Sequence, residues 1–309
     1  MKQTKNVLIQ SFIKDNKLDN DFEATALNWF IPAAELIYRH QVGANKPFFV
    51  GLNGCQGSGK STLTAFIQSY LSSTYQVRIA VISLDDFYYP QTTRQQLAKS
   101  THSLLASRGV PGTHDCALLE TVLHSLKNGS PTVLPRFNKA SDNPQPEQNW
   151  PQMTDAADIV IFEGWCWGTS PQTSDALLQP INELEQNEDE NSVWRAYVNT
   201  QLTSKYEPLY SLFDFWLMLQ APSFQAVSSW RKQQEAKLRQ TAPADQSGIM
   251  SDSQIERFIQ HFQRLTEHSL TTLPNTADLV LSLDPQRQIL DATGAQQSNF
   301  NELSKQEGL

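Results

Sequence analysis

The sequence predicts an α/β protein: a doubly wound, mainly parallel sheet with helices on both faces and an added N-terminal helical segment. Two observations carry that expectation. Short runs at PFFVGLNG (47–54), VRIAVISL (77–84), DIVIFEGW (158–165), FWLMLQ (215–220) and ADLVLSL (277–283) are nearly continuous in apolar residues. That is the pattern of strands covered on both faces. Between them lie stretches with apolar residues at three- and four-residue spacing, and strands alternating with helices build a parallel sheet through crossover connections.

Residues 5–45 read as two helices. LNWFIPAAELIYRH has helical apolar spacing, and Pro32 marks a boundary or kink within it. The first apolar run ends in glycine and leads into a helix from Lys60 to about Ser72. The second stops at Asp85 and Asp86, and the third carries Glu163 near its end. CALLETVLHSLKN, VWRAYVNTQL, SFQAVSSWRKQQEAKLRQ and SDSQIERFIQHFQRL read as helices, the last with Ser251 as its N-cap. Polar segments 139–150, 186–192 and 241–250 read as loops, and the acidic run EQNEDEN (185–191) as a solvated one. The expected organisation is a single domain over 1–309: a helical segment at 1–45, a core at 46–284 and a weakly patterned tail at 285–309.

Composition narrows the function classes. Of 309 residues, 32 are acidic and 24 basic, giving a net charge of -8, which disfavours nonspecific binding to nucleic acid or an anionic membrane. Cys55, Cys116 and Cys166 are odd in number, widely spaced and without a CxxC pair. They suggest neither a disulfide framework nor a zinc site, and a reducing cytoplasm is the expected location. The amino terminus lacks the cleavage signature of a secretory signal, and no apolar run approaches the ~18 residues of a membrane span.

GCQGSGKS, from Gly54 through Cys55, Gln56, Gly57, Ser58, Gly59 and Lys60 to Ser61, matches G-x-x-x-x-G-K-[ST] between a strand and a helix. Such a loop wraps its backbone N–H groups round a phosphate, and the helix that follows adds its positive end. Lys60 is then expected at the β and γ phosphates of ATP and the Ser61 hydroxyl at Mg²⁺. Thr62 stands where a dinucleotide fingerprint needs its third glycine. A guanine-reading NKxD is missing, since NKAS at 138–141 has Ser141 in the Asp position, and the DxxG at Asp291–Gly294 lies in the tail. A P-loop NTPase fold is the expectation, without the features of a GTP-dependent switch. Cys55 lies at a helix start, where a thiol pKa can fall and oxidation could block the loop.

Ligands of an open α/β sheet gather beyond the carboxyl ends of its strands. Asp85, Asp86 and Glu163 stand at two such ends. Phosphoryl transfer to an alcohol needs one carboxylate near the hydroxyl and another near the metal.

ISLDDFYYP (82–90), the phosphate loop and IFEGW (161–165) resemble the P-loop small-molecule kinases that include uridine kinase, pantothenate kinase and phosphoribulokinase. Within that group, DDFYY, RGVPGTHD, LPRFNKA, FEGWCWG, WRKQQEAKLRQ and GIMSDSQIERFIQHF resemble the D-glycerate 3-kinases in order and spacing, from about Pro47 to Asp284. The resemblance implies Asp85 as catalytic base, Glu163 as the carboxylate associated with magnesium, and Arg231 and Arg239 as lid arginines over the phosphates. SDNPQPEQNW after LPRFNKA lacks the glycine and basic residues usual there.

The activity so implied is ATP- and Mg²⁺-dependent transfer to a hydroxyl of a small carboxylate, D-glycerate first. A nucleoside, pantothenate or another alcohol is the alternative acceptor, and a non-catalytic nucleotide-binding regulator the third reading. A carboxylate substrate calls for cations or N–H donors. Arg108, His114, Arg136 and Lys139 can supply them, and Asp86, Tyr88 and Asp115 complete the expected acceptor side.

Overall fold

Each apolar run becomes a strand of one sheet. A computed structural model describes residues 2–19, 21–44, 47–241 and 251–307, with side chains at all of these except 2–4, 235, 237–241 and 307. It begins with α1 (Lys2–Asn16) and α2 (Phe22–Thr25), then passes through a wide π turn at Ala26–Phe30 into α3 (Ile31–Val42). The break expected at Pro32 is that wide turn, and Pro32 itself sits in the first turn of α3, where its missing N–H costs no helical hydrogen bond.

The core follows as β1 (Phe48–Gly54), α4 (Lys60–Tyr75), β2 (Ile79–Ser83), α5 (Gln91–Ser100) and α6 (Cys116–Lys127). Short strands β3 (Thr132–Val133), β4 (Phe137–Asn138), β5 (Asn143–Pro144) and β6 (Gln152–Met153) form two small antiparallel pairs, β3 with β6 and β4 with β5. Then come β7 (Ile159–Gly164), α7 (Glu183–Glu188), α8 (Val193–Gln201), β8 (Phe215–Gln220), α9 (Phe224–Thr241) and α10 (Asp252–Thr272). The chain closes with β9 (Leu279–Leu283), β10 (Ile289–Thr293) and α11 (Gln297–Glu307). The N-cap expected at Ser251 is present as a full capping box with Gln254.

The main sheet runs β10-β9-β8-β1-β7-β2, parallel throughout except for β10 at one edge. Phe48, Val50 and Leu52 of β1 face a layer built from α1, α3, α4, α9 and α11. Phe49 faces the layer of α6, α8 and α10. Both faces are covered, which is why the strands read as unbroken apolar runs. The chain moves from β1 to β2 and β7 on one side, then to β8 on the other. This makes the carboxyl end of β1 the switch point where such sheets bind ligands.

Two expectations need correction. The tail from Pro285 is not weakly structured: it supplies β10 and α11, anchored by buried Ala292, Phe300 and Leu303. The acidic run 185–191 is not a solvated loop, because it begins within α7, and Glu185 and Asp189 are buried against Arg264 and Arg195. The N-terminal helices are tied to the core by a buried carboxylate, Glu35, which accepts from the hydroxyls of Tyr70 at 2.6 Å and Tyr75 at 2.7 Å. Among the described residues no helix is long and apolar enough to cross a membrane.

Candidate active site

The phosphate loop turns from β1 into α4 through Gly59, whose φ of 97° is a left-handed conformation that an L side chain takes up only at a cost. Lys60 Nζ folds back to the Cys55 carbonyl at 3.2 Å and lies 3.7 Å from a Glu163 oxygen. The Ser61 hydroxyl is 3.4 Å from the other oxygen of Glu163. A hydroxyl and a carboxylate so placed are the hard oxygen ligands that Mg²⁺ prefers. Buried Ser58 Oγ has no hydrogen-bond partner among the described residues, as suits a group awaiting a polar ligand. Thus the donor set fits a nucleotide phosphate and its metal.

Cys55 does not have the surroundings of a reactive thiol. Burial pushes its pKa up to about 12, outweighing the nearby Lys60 charge.

Beside the loop is a cavity of about 310 Å³. Ser58, Gly59 and Thr62 form its floor, Leu18, Phe22 and Thr25 one wall, and the β9–β10 turn at 286–289 the other. From that turn Arg287 donates to the Gly57 carbonyl at 2.9 Å, with its guanidinium over the Trp230 ring at 5.2 Å. Sequence reasoning missed Arg287 because it lies in the stretch taken for a tail. The signal available was turn chemistry: the Asp284 carboxylate accepts from Gln286 and Gln288 just past a strand end.

Glu163 and Asp85 reach the same edge because β7 lies between β1 and β2, with Glu163 paired in register with Leu52 on one side and Ser83 on the other. Asp85 accepts from the Tyr88 hydroxyl at 2.9 Å and from Lys139 Nζ at 2.5 Å. Burial alone would raise its pKa, but Lys139, Lys60 and the Tyr88 hydroxyl outweigh burial and hold the carboxyl below its ordinary range. Asp86 turns the other way, accepting from the Phe137 backbone at 3.2 Å and from Arg136 at 3.4 Å. Burial dominates there and pushes its pKa up to about 6.

RGVPGTHD is zipped to the chain after β2: Asp115 N–H donates to the Phe87 carbonyl at 2.7 Å and Tyr89 N–H to the Thr113 carbonyl at 2.9 Å. Gly109 is required by close approach, since a Cβ there would meet the Phe262 ring at 2.5 Å. Arg94, fully buried on α5, organises the neighbourhood. It donates to the carbonyls of Tyr89 and Ala106 and pairs at 2.6 Å with Asp142, which also pairs with Arg108.

Several expected site residues take other partners. His114 is buried, stacked on Tyr88, and bonded through Nδ1 to the Tyr206 hydroxyl at 2.7 Å. Burial lowers its pKa to about 3, so it is a neutral ring and not a cation for a carboxylate. Tyr206 also accepts from Gly112 N–H, and the other ring nitrogen of His114, Nε2, has no hydrogen-bond partner among the described residues. Asp115 accepts from Leu118 N–H at 3.0 Å as the N-cap of α6. The Arg231 guanidinium packs 5.8 Å from the Phe258 ring centroid and donates to Gln234. Trp230 and Gln234 of α9 approach Gly57. Arg239 lies in the last turns of α9, with its side chain outside the described residues.

Comparison with known proteins points the same way. Residues 49–169 match the profile of the phosphoribulokinase/uridine kinase family. An uncharacterized kinase of Schizosaccharomyces pombe is 32% identical over 247 residues, 76% of this chain and 85% of that protein. The chloroplastic D-glycerate 3-kinase of Arabidopsis thaliana is 29% identical over 259 residues, covering 78% of this chain and 53% of that protein, so the chain spans about half its length. Among solved structures, D-glycerate 3-kinase from Cryptococcus neoformans superposes with a TM-score of 0.70 at 26% identity, covering 89% of this chain and 99% of that one.

Proposed function

From the premise that this chain belongs to the phosphoribulokinase/uridine kinase family of P-loop kinases, we propose that it transfers the γ-phosphoryl group of ATP to the 3-hydroxyl of D-glycerate. The observation that carries this reading is the line of three groups along neighbouring strands. Lys60 follows β1, Glu163 ends β7, and Asp85 follows β2, with three cations, Lys139, Arg136 and Arg108, on the acceptor side.

The roles follow from position. The cavity beside the loop takes the nucleoside, and the loop N–H groups with Lys60 hold the phosphates. Ser61 and Glu163 would hold Mg²⁺, which when bound supplies positive charge to the phosphates. Asp85 accepts the proton of the attacking hydroxyl, a contribution of about 10²–10⁴ in rate. Positioning and charge neutralisation by Lys60 carry most of the remainder. The cationic border of the acceptor side suits a small carboxylate better than an uncharged nucleoside.

The test is ADP release with Mg·ATP against D-glycerate, L-glycerate, glycerol, uridine and pantothenate, with the phosphorylated position identified by NMR. Turnover highest with D-glycerate, yielding 3-phosphoglycerate, is expected. Preference for uridine or pantothenate would reassign the acceptor, and no turnover with any alcohol would leave a nucleotide-binding regulator.

A further inference from the structure

Three cations border the acceptor side, and each already holds a carboxylate of the chain: Arg108 with Asp142, Arg136 with Asp86, and Lys139 with Asp85. An incoming carboxylate must therefore take a cation away from an internal partner. The three pairs are not equally easy to open. Asp142 is built into the Arg94 junction, and Asp86 carries both Arg136 and the backbone of β4. Lys139 has a side chain 60% exposed, on a long stem that can reorient. When it leaves, Asp85 still keeps the Tyr88 hydroxyl.

Asp85 is also the one carboxylate of the three that the reaction needs unengaged. A carboxylate held by an ammonium at 2.5 Å is a poor acceptor for a proton from an alcohol, because the positive charge favours its ionised form.

We propose that Lys139 is an exchangeable lock on the base. The carboxylate of the acceptor draws the Lys139 ammonium away from Asp85, and that exchange frees Asp85 to act on the hydroxyl of the same molecule. The inference rests on the reading of Asp85 as base and of a hydroxy acid as acceptor. In the productive complex the acceptor O–H bond breaks and its proton passes to Asp85. The electron pair of that oxygen forms the new O–P bond, the bond from the γ phosphorus to the bridging oxygen breaks, and ADP departs with its electrons. Asp85 then returns the proton to solvent. Glycerol or water brings no carboxylate and meets a base still engaged by Lys139. The lock therefore selects for a charged acceptor and restrains futile hydrolysis of ATP.

Lys139→Met keeps the stem and removes the charge. With Mg·ATP, kcat/KM for D-glycerate should fall by about 10- to 100-fold, while the value for glycerol and ADP release without acceptor should both rise. Lys139→Arg should restore part of the preference for glycerate over glycerol. The wild-type chain offers a second measurement independent of any variant: methyl glycerate, which keeps the hydroxyls and loses the charge, should be used no better than glycerol.

An equal fall for glycerate and glycerol in Lys139→Met would show that Lys139 only holds Asp85 in place, a fall for glycerate with glycerol unchanged that it only binds the substrate carboxylate, and unchanged values for both that it has no role; each of these results overturns the proposal. So does efficient use of the methyl ester by the wild type. If the wild type itself fails to phosphorylate glycerate, the acceptor reading falls and the lock falls with it, whereas a glycerate-active wild type with an indifferent variant removes the lock alone.

Discussion

Glu185 on α7 and Arg264 on α10 form a buried ion pair, 2.5 Å between Oε2 and Nη2, with a second contact of 2.7 Å through Nε. Glu185 has none of its surface exposed, and Arg264 also donates to the carbonyls of Ala176 and Gln179. Removing one partner strands the other charge away from water. Glu185→Ala should cost about 3–5 kcal/mol of stability, read as a lowered urea midpoint. Replacing both residues by apolar ones of similar volume should cost less than the single change, which a double-mutant cycle will reveal.

In the proposed reaction Lys60 and Asp85 serve different substrates, so their variants should separate. Lys60→Ala should lower turnover by at least about 10²-fold and weaken ATP binding measured by calorimetry. Asp85→Asn should lower turnover by about 10²–10⁴-fold while ATP binding stays near the wild-type value. An Asp85→Asn enzyme with near-normal rate would remove it as the base.

Asp86 gives a pH signature. Its folded-state pKa of about 6 lies above the value of about 4 of an unfolded chain. The folded protein therefore holds this proton more tightly, and the resulting stabilisation is present at low pH and lost as the pH rises from about 4 to about 6. Asp86→Asn should remove that loss and raise stability at pH 7 by on the order of 1–3 kcal/mol, with the gap closing near pH 4. Chemical denaturation of both proteins across this range checks it.

The cavity beside the phosphate loop should be specific to the nucleotide. Leu18→Trp fills the space between the N-terminal wall and Thr62. KM for ATP should rise about 10-fold or more, and KM for glycerate should stay within about twofold. A matched rise in both constants would indicate a distorted sheet and not a filled pocket.

The inner strands and the phosphate loop were legible because their signals are local. β1, β7 and β8 are apolar on both faces, and the loop carries its chemistry in consecutive residues. What escaped the sequence depends on partners distant in the chain. Glu185 reads as one acid among several until Arg264, 79 residues later, is placed beside it. α5 carries no apolar stripe, because its buried anchor is Arg94. β10 is an edge strand with Leu290 exposed and one neighbour in the sheet, so it lacks the apolar run that marks the inner strands.

The same distance separates expected from observed surroundings at the site. The placement of Asp85 and Glu163 side by side follows from their positions at strand ends. The neutral state of His114 follows from its burial beside partners as distant as Tyr206, 92 residues away, and the engagement of Asp85 only from Lys139 on the β4–β5 hairpin. Motif spacing reports which residues lie near a strand end. It does not report which charges they hold once there.

The cavity beside the phosphate loop is walled by Leu18, Phe22, Thr25 and Phe30 on one side and by Leu283 and residues 286–289 on the other. Its closure joins Leu18 and Phe22 to Arg287 and Ile289, a contact of very high sequence separation and among the slowest kinds to form. On the ribosome, a nascent chain that has already folded β1, β7 and β2 still lacks one side of this pocket until the β9–β10 turn emerges. The pocket proposed for the nucleoside is thus complete only once β9 and β10 have been made, long after the phosphate loop beside it.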